Sequence, residues 1–225
     1  MCGRFTLRAS PAEIAEFFEL MRDLVEWDRP RFNIAPTQSI LAVRAGSDGR
    51  EAARMRWGLI PSWAKDTKLA ASMINARAET VAEKPAFRAA FKRRRCLIPV
   101  SGFYEWRRDG KVRQPFRVIR TDGRPLVLAG LWSGWKDPAT GEIRRSFAII
   151  TGPPNDVVRP IHDRMPVVLE DDAWPRWLDP AAGDPGELQA LLLPAGGLEL
   201  TAYRVGLLVN NVRFDGPDLI EPLAG

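Results

Sequence analysis

The chain is poor in the residues that build metal centres and disulfide frameworks. Its 225 residues include two cysteines, Cys2 and Cys96, and a single histidine, His162. Two thiols make no disulfide framework, and neither belongs to a CxxC pair. Three soft ligands scattered along the chain do not supply the convergent donors of a zinc site, so no metal or cofactor is expected. The longest run without a charge is twelve residues, Phe32 to Val43, too short to cross a bilayer as a helix. Arg4, Arg8 and Glu13 deny the first residues the apolar stretch of a signal peptide. A membrane is therefore not an expected partner, and the expected location is the cytosol or nucleoid. Eighteen glycines and nineteen prolines call for many turns without reaching low-complexity levels. With 45% apolar residues and no repeat, heptad or long linker, residues 1–225 read as one globular domain and a monomer.

Lysine is also scarce: six against 27 arginines. Charge is divided unevenly, +12 over residues 1–169 and −7 over residues 170–225. Arginine forks onto phosphates and stacks on flat rings, and eight tryptophans add platforms for unpaired bases. That fits a nucleic-acid partner, although GC-rich codon usage yields the same arginine excess, and composition alone does not decide.

Ser10-Pro11-Ala12-Glu13 carries the signals of a helix start, a capping serine with Glu three residues on. Ile14, Phe17, Phe18 and Met21 follow at helical spacing. A second helix is expected over Lys84 to Arg93, and short ones over Asp171–Leu178 and Gly186–Leu193. Apolar runs bounded by Gly, Pro or Asp-Gly predict strands at Ser39–Arg44, Cys96–Val100, Gly102–Trp106, Phe116–Arg120, Leu126–Trp132, Phe147–Thr151 and Val167–Leu169. Asp109-Gly110 and Asp122-Gly123 suit hairpin turns. Strands do not alternate with long helices, so the expected fold is α+β, with a curved, mostly antiparallel sheet flanked by short helices.

The second residue carries the sharpest chemistry. Met followed by a small residue is a substrate for initiator-methionine removal, which would leave Cys2 with a thiol and an α-amine on adjacent carbons. Such an aminothiol can act as a nucleophile with its own amine as base. It can also condense with an aldehyde, the amine forming a Schiff base and the thiol closing a thiazolidine. The alternative is a cysteine at a frayed end. Glu105, flanked by aromatics in Gly102-Phe-Tyr-Glu-Trp106, is either a desolvated general acid or an outward strand residue paired to Arg107 or Arg108. His162 sits in Arg159-Pro-Ile-His-Asp-Arg-Met-Pro166; a lone histidine is commonly structural, while Asp163 and Arg164 beside it suit proton transfer. Asn75 could orient a substrate oxygen and Arg77 clamp a phosphate, with turn or capping roles equally open. Most tryptophans belong in a core; Trp63 is the one read as an exposed stacker. Arg93-Arg94-Arg95 suits a helix C-terminus, and Cys96 a buried thiol.

Met1-Cys-Gly-Arg-Phe5, Arg31-Phe-Asn-Ile-Ala-Pro-Thr-Gln38, Trp57-Gly-Leu-Ile-Pro61, Asn75-Ala-Arg-Ala-Glu-Thr80, Arg95-Cys96, Gly102-Phe-Tyr-Glu-Trp106, Ala129-Gly-Leu-Trp132 and Ile161-His-Asp-Arg-Met-Pro166 occur in that order. Together they resemble the SOS response-associated peptidase family, the abasic-site processing proteins. The resemblance spans residues 1–169 and weakens beyond them. It implies a protein that binds single-stranded DNA and traps the aldehyde of an abasic sugar as a thiazolidine crosslink through mature Cys2. It implies that Glu105 shuttles protons, that Asn75 holds the sugar oxygen or the N-terminus, and that His162 assists proton transfer at the opened sugar and reversal of the link. Arg4, Asn33, Pro36, Trp63, Arg77 and Arg164 become the strand-binding surface. The family name further implies peptidase-like self-removal of Met1, and a lyase activity at the sugar is also compatible. Two rivals remain, a glutaminase-type amidohydrolase with Cys2 as N-terminal nucleophile and a non-catalytic single-strand-binding module.

Overall fold

The computed structural model describes residues 2–20, 29–193 and 197–223. In chain order the elements are β1 (Phe5–Leu7), α1 (Pro11–Phe17), β2 (Arg31–Ile34), β3 (Ser39–Ala45), β4 (Arg50–Trp57), β5 (Asn75–Arg77), α2 (Arg88–Arg93), β6 (Arg95–Val100), β7 (Gly102–Asp109), β8 (Val112–Arg120), β9 (Leu126–Lys136), β10 (Ile143–Gly152), β11 (Met165–Pro166), α3 (Trp174–Leu178), α4 (Pro185–Ala190) and β12 (Leu200–Arg204). The α+β class holds, but among the described residues the strands divide into two sheets. One is antiparallel throughout, in the order β12-β8-β7-β1-β2. The other runs β11-β10-β4-β3-β6-β9, and β9 pairs back onto β10, so five of its strands close into a ring. Closure removes edges that would otherwise invite pairing with another chain. Only β4 and β5 lie parallel to β10.

Local chemistry explains most boundaries. The capping box at Ser10 is present in full, the Ser10 hydroxyl accepting from Glu13 N–H and the Glu13 carboxylate accepting from Ser10 N–H. Met21, expected on the same helical face, lies outside the described residues. The helix expected from Lys84 begins at Arg88 instead, after an entry turn containing Pro85, which has no N–H to donate. The strand expected at Val167–Leu169 is displaced: β11 ends at Pro166, and Val168 makes a single bridge to Leu128. Asp109-Gly110 does turn β7 into β8, with Gly110 at φ 62°.

The sheets meet over a shared aromatic core. Phe5 of β1 packs on Trp57 at 4.9 Å between ring centroids, and Trp57 stacks on Phe147 of β10 at 6.2 Å. Arg95 does meet the C-terminus of α2, but from within the core. Buried at the start of β6, its guanidinium donates to the carbonyls of Phe91 and Lys92 in α2 and to those of Trp177, Asp179 and Ala182, tying the acidic C-terminal part to the core. Cys96 beside it is fully buried and its thiol is pushed up by desolvation, as a structural cysteine should be.

Gly58 marks the point where the chain leaves β4 and β5 takes its place along β10. Its N–H donates to Phe147 O at 2.8 Å, its φ is +119°, and a Cβ there would stand 2.6 Å from the Ala70 carbonyl oxygen. Gly58→Ala combines left-handed strain with a backbone clash and should cost about 2–4 kcal/mol. Urea unfolding should show a lowered midpoint at unchanged slope.

Candidate active site

Cys2 is positioned by the strand that follows it. In β1, Phe5 faces Phe103 and Thr6 faces Gly102 of β7, and Tyr104 N–H donates to Arg4 O at 2.9 Å. Continuing that register brings Gly3 beside Glu105, so the first residues run along the carboxylate. From the other sheet, Asn75 Nδ2 donates to the Cys2 carbonyl at 2.8 Å. Asn75 sits on β5 because that short strand pairs parallel with Ile149–Thr151 of β10. Cys2 is therefore fully buried where the two sheets meet, and not at a frayed end.

Burial sets the protonation states. The Glu105 carboxyl is pushed up to about 7, chiefly because desolvation disfavours its charge, with the negative Asp163 adding to the shift. At neutral pH such a group can both give and accept a proton. The Cys2 thiol is pushed far up by burial and then by the Glu105 charge, so it stays protonated until a base removes its proton. His162 is held below its ordinary value, first by burial. Its Nδ1 accepts from Arg164 N–H at 3.0 Å, which requires the neutral ring to carry its proton on Nε2. Asp163 Oδ1 also stands 2.9 Å from Nδ1, an approach that becomes an ion pair only when the ring is protonated. Asn75 of β5 and Glu105 of β7 thus meet Cys2 just before β1, and the β10–β11 connection brings Asp163 within electrostatic reach of Glu105.

The six residues expected on a strand-binding surface separate into two groups. Trp63 is 61% exposed in the loop after β4, Arg77 is exposed on the same face of β5 as Asn75, and Pro36 is half-buried. The other three are turned inward. Asn33 is fully buried, its Nδ2 donating to the carbonyls of Val209, Asn211 and Phe214. Arg4 Nη1 donates to Asn33 Oδ1 at 2.7 Å and to Val209 O at 2.8 Å, with its guanidinium over Trp106. Arg164 is paired to Glu79. A buried amide with its donors spent on carbonyls has none to offer a phosphate, so Asn33 braces the C-terminal segment from within. Asp215, passed over in the sequence, completes that brace by accepting from Phe32 N–H, Asn33 N–H and Arg31 Nε. No spacing rule connects residues more than 180 positions apart.

A family model described as SOS response associated peptidase (SRAP) matches residues 1–212. Abasic site processing protein YoqW of Bacillus subtilis (strain 168) is 43% identical over 223 residues, covering 98% of this chain and 99% of the relative. Abasic site processing protein YedK of Escherichia coli (strain K12) is 29% identical, covering 99% of this chain and all of the relative. A solved structure of a protein from Bacteroides thetaiotaomicron superposes with a TM-score of 0.89 at 26% identity, over 99% of this chain and 100% of that one.

The raised Glu105 carboxyl has a measurable consequence for stability. In the unfolded chain it ionises near 4.5, whereas in the folded protein it keeps its proton to about 7. The folded state then binds more protons in that window, so stability falls as pH rises from about 4.5 through 7. Glu105→Gln removes the titration. Relative to the parent, the variant should gain up to about 3 kcal/mol between pH 4 and pH 8, read by urea unfolding at both values.

Proposed function

Because the chain belongs to the SOS response-associated peptidase family, we propose that it processes abasic sites in DNA, with Cys2 as the residue that bonds them. The observation that carries this reading is the burial of Cys2 between Asn75, which fixes its carbonyl, and Glu105, whose carboxyl changes charge near neutrality. Relatives covering nearly the whole chain bear the name abasic site processing protein, which supplies the substrate class.

Removal of Met1 gives Cys2 a free α-amine. An abasic deoxyribose opens to an aldehyde, and the amine adds to that carbon to form a carbinolamine. Protonated Glu105 donates to the departing hydroxyl, water leaves, and a Schiff base remains. Glu105, now charged, takes the thiol proton, and sulfur attacks the same carbon, so that one aldehyde and one aminothiol become one thiazolidine and one water. A thiol held protonated by burial needs that neighbouring base. The neutral Nε2–H of His162 is suited to deliver a proton to the sugar oxygen on ring opening and to reverse the link. Peptidase action is read most simply as release of Met1, and a lyase activity would follow from the Schiff base.

Single strands are the expected DNA form, since the reacting carbon must be reached from outside a duplex and Trp63 needs unstacked bases. Arg77, Trp63 and Pro36 are the surface contacts; Arg4, Asn33 and Arg164 support them from behind. The protein acts as a monomer in the cytoplasm, at the nucleoid when on DNA. Among the described residues no helix is long and apolar enough to cross a membrane, and no cluster of His, Cys, Asp and Glu could hold a metal ion.

Cys2→Ala should abolish the denaturation-resistant adduct with an abasic single strand while leaving most reversible binding. Intact mass reads this directly: the parent should lack Met1 and gain one oligonucleotide less one water. An undiminished adduct in the variant refutes the assignment, and glutamine hydrolysis without DNA would favour the amidohydrolase. Arg77→Ala should flatten the log–log salt dependence of binding by about 0.7, the loss of one single-strand phosphate contact, in a fluorescence-anisotropy titration.

A further inference from the structure

Glu79 takes no part in the chemistry above, yet a short chain of bonds ties it to His162. Arg164 Nη1 donates to Glu79 Oε1 at 2.5 Å and Nη2 to Oε2 at 2.9 Å, a two-point pairing of the guanidinium fork with both carboxylate oxygens. Nη2 also donates to the Thr151 carbonyl of β10 at 2.6 Å. The Arg164 side chain is 16% exposed and that of Glu79 46%, so the pair is half open to solvent and matters here for its two-point geometry. With its guanidinium held by Glu79 and Thr151, residue 164 presents its backbone N–H to Nδ1 of His162 at 3.0 Å. Glu79 itself is set by the turn that follows β5, where Ala78 N–H donates to Thr151 O and Thr80 N–H to Arg77 O. The strand bearing Asn75 and the loop bearing His162 are thereby fastened together through one carboxylate.

We propose that Glu79 is a positioning residue for abasic-site processing, holding His162 in its Nε2–H tautomer through Arg164. The proposal rests on the reading of His162 as the proton-transfer group. Two arrangements compete at Nδ1. In the neutral ring it accepts from Arg164 N–H; in the charged ring it donates to Asp163 Oδ1, 2.9 Å away. Burial and the charge of Arg113 on β8 oppose charging of the ring, while Asp163 favours it. Glu79 adds no charge to the ring directly; it decides where the competing N–H stands. Without it, Arg164 keeps only its bonds to Thr151, and the ring is free to exchange tautomers.

His162 is the only histidine, so ring-labelled protein gives one pair of imidazole nitrogen signals to follow. At pH 7.5 the parent should show a protonated Nε2 and an unprotonated Nδ1. In Glu79→Ala both signals should move toward the averaged positions of unrestrained histidine. The crosslinking rate at saturating abasic single strand should fall about tenfold. The DNA concentration giving half that rate should stay within twofold. Glu79→Gln, which keeps the size and one acceptor, should fall between parent and alanine variant, and serves alone if alanine does not fold. Unchanged ring signals, or a loss appearing wholly as weaker binding, overturns the proposal. If the parent forms no adduct while the ring signals still respond to Glu79→Ala, the abasic-site reading fails and the tie between Glu79 and His162 stands.

Discussion

Everything at the site depends on the pairing of β1 on both sides. Three residues, Phe5 to Leu7, lie between β2 and β7 and bury all their side chains. Cys2 is three positions upstream, so the sheet carries it to a fixed place although it stands at the start of the chain. Chain ends usually fray. Here a further orienting bond comes from the second sheet, through Asn75, so Cys2 is held from both sheets.

The same burial sets the reactivity. Desolvation raises Glu105 and the Cys2 thiol together, each by excluding water from its charged form. A thiolate at the surface would be reactive toward any electrophile. In the proposed reaction, a buried thiol beside a carboxyl that changes charge near 7 waits for a carbonyl to enter and for its proton to be passed. Keeping Glu105 dry costs stability and, in the proposed reaction, holds a proton where the chemistry would use it.

The uneven charge has a second use beyond attracting a polyanion. Asp215 in the acidic C-terminal part accepts from Arg31 and from the backbone of β2, Asp171 pairs with Arg124, and the carbonyls around Asp179 receive Arg95. Part of the basic excess over residues 1–169 is therefore answered from within, and the net charge overstates the cations left for DNA. Arg164 is a further instance, held by Glu79 within the basic part itself.

Helix α1, the β7–β8 hairpin and the long strands β3, β6, β9 and β10 were legible because their signals are local: a capping box, an Asp-Gly turn, uninterrupted apolar runs. β4 and β5 were not, since Arg50–Trp57 is crowded with arginine and alanine and Asn75–Arg77 is only three residues long; β4 is a strand because β3 pairs with it along its length, and β5 because β10 offers it hydrogen bonds. Cys2, Asn75, Glu105 and His162 were named from residue chemistry and short motifs, which depend on side-chain type and near neighbours. Their convergence, the closing of five strands into a ring, and the inward turn of Asn33, Arg4 and Arg164 were decided by tertiary structure alone. The physical reason is that a polar side chain reads the same in sequence whether it meets solvent or a carbonyl contributed from far along the chain, and only packing determines which it meets.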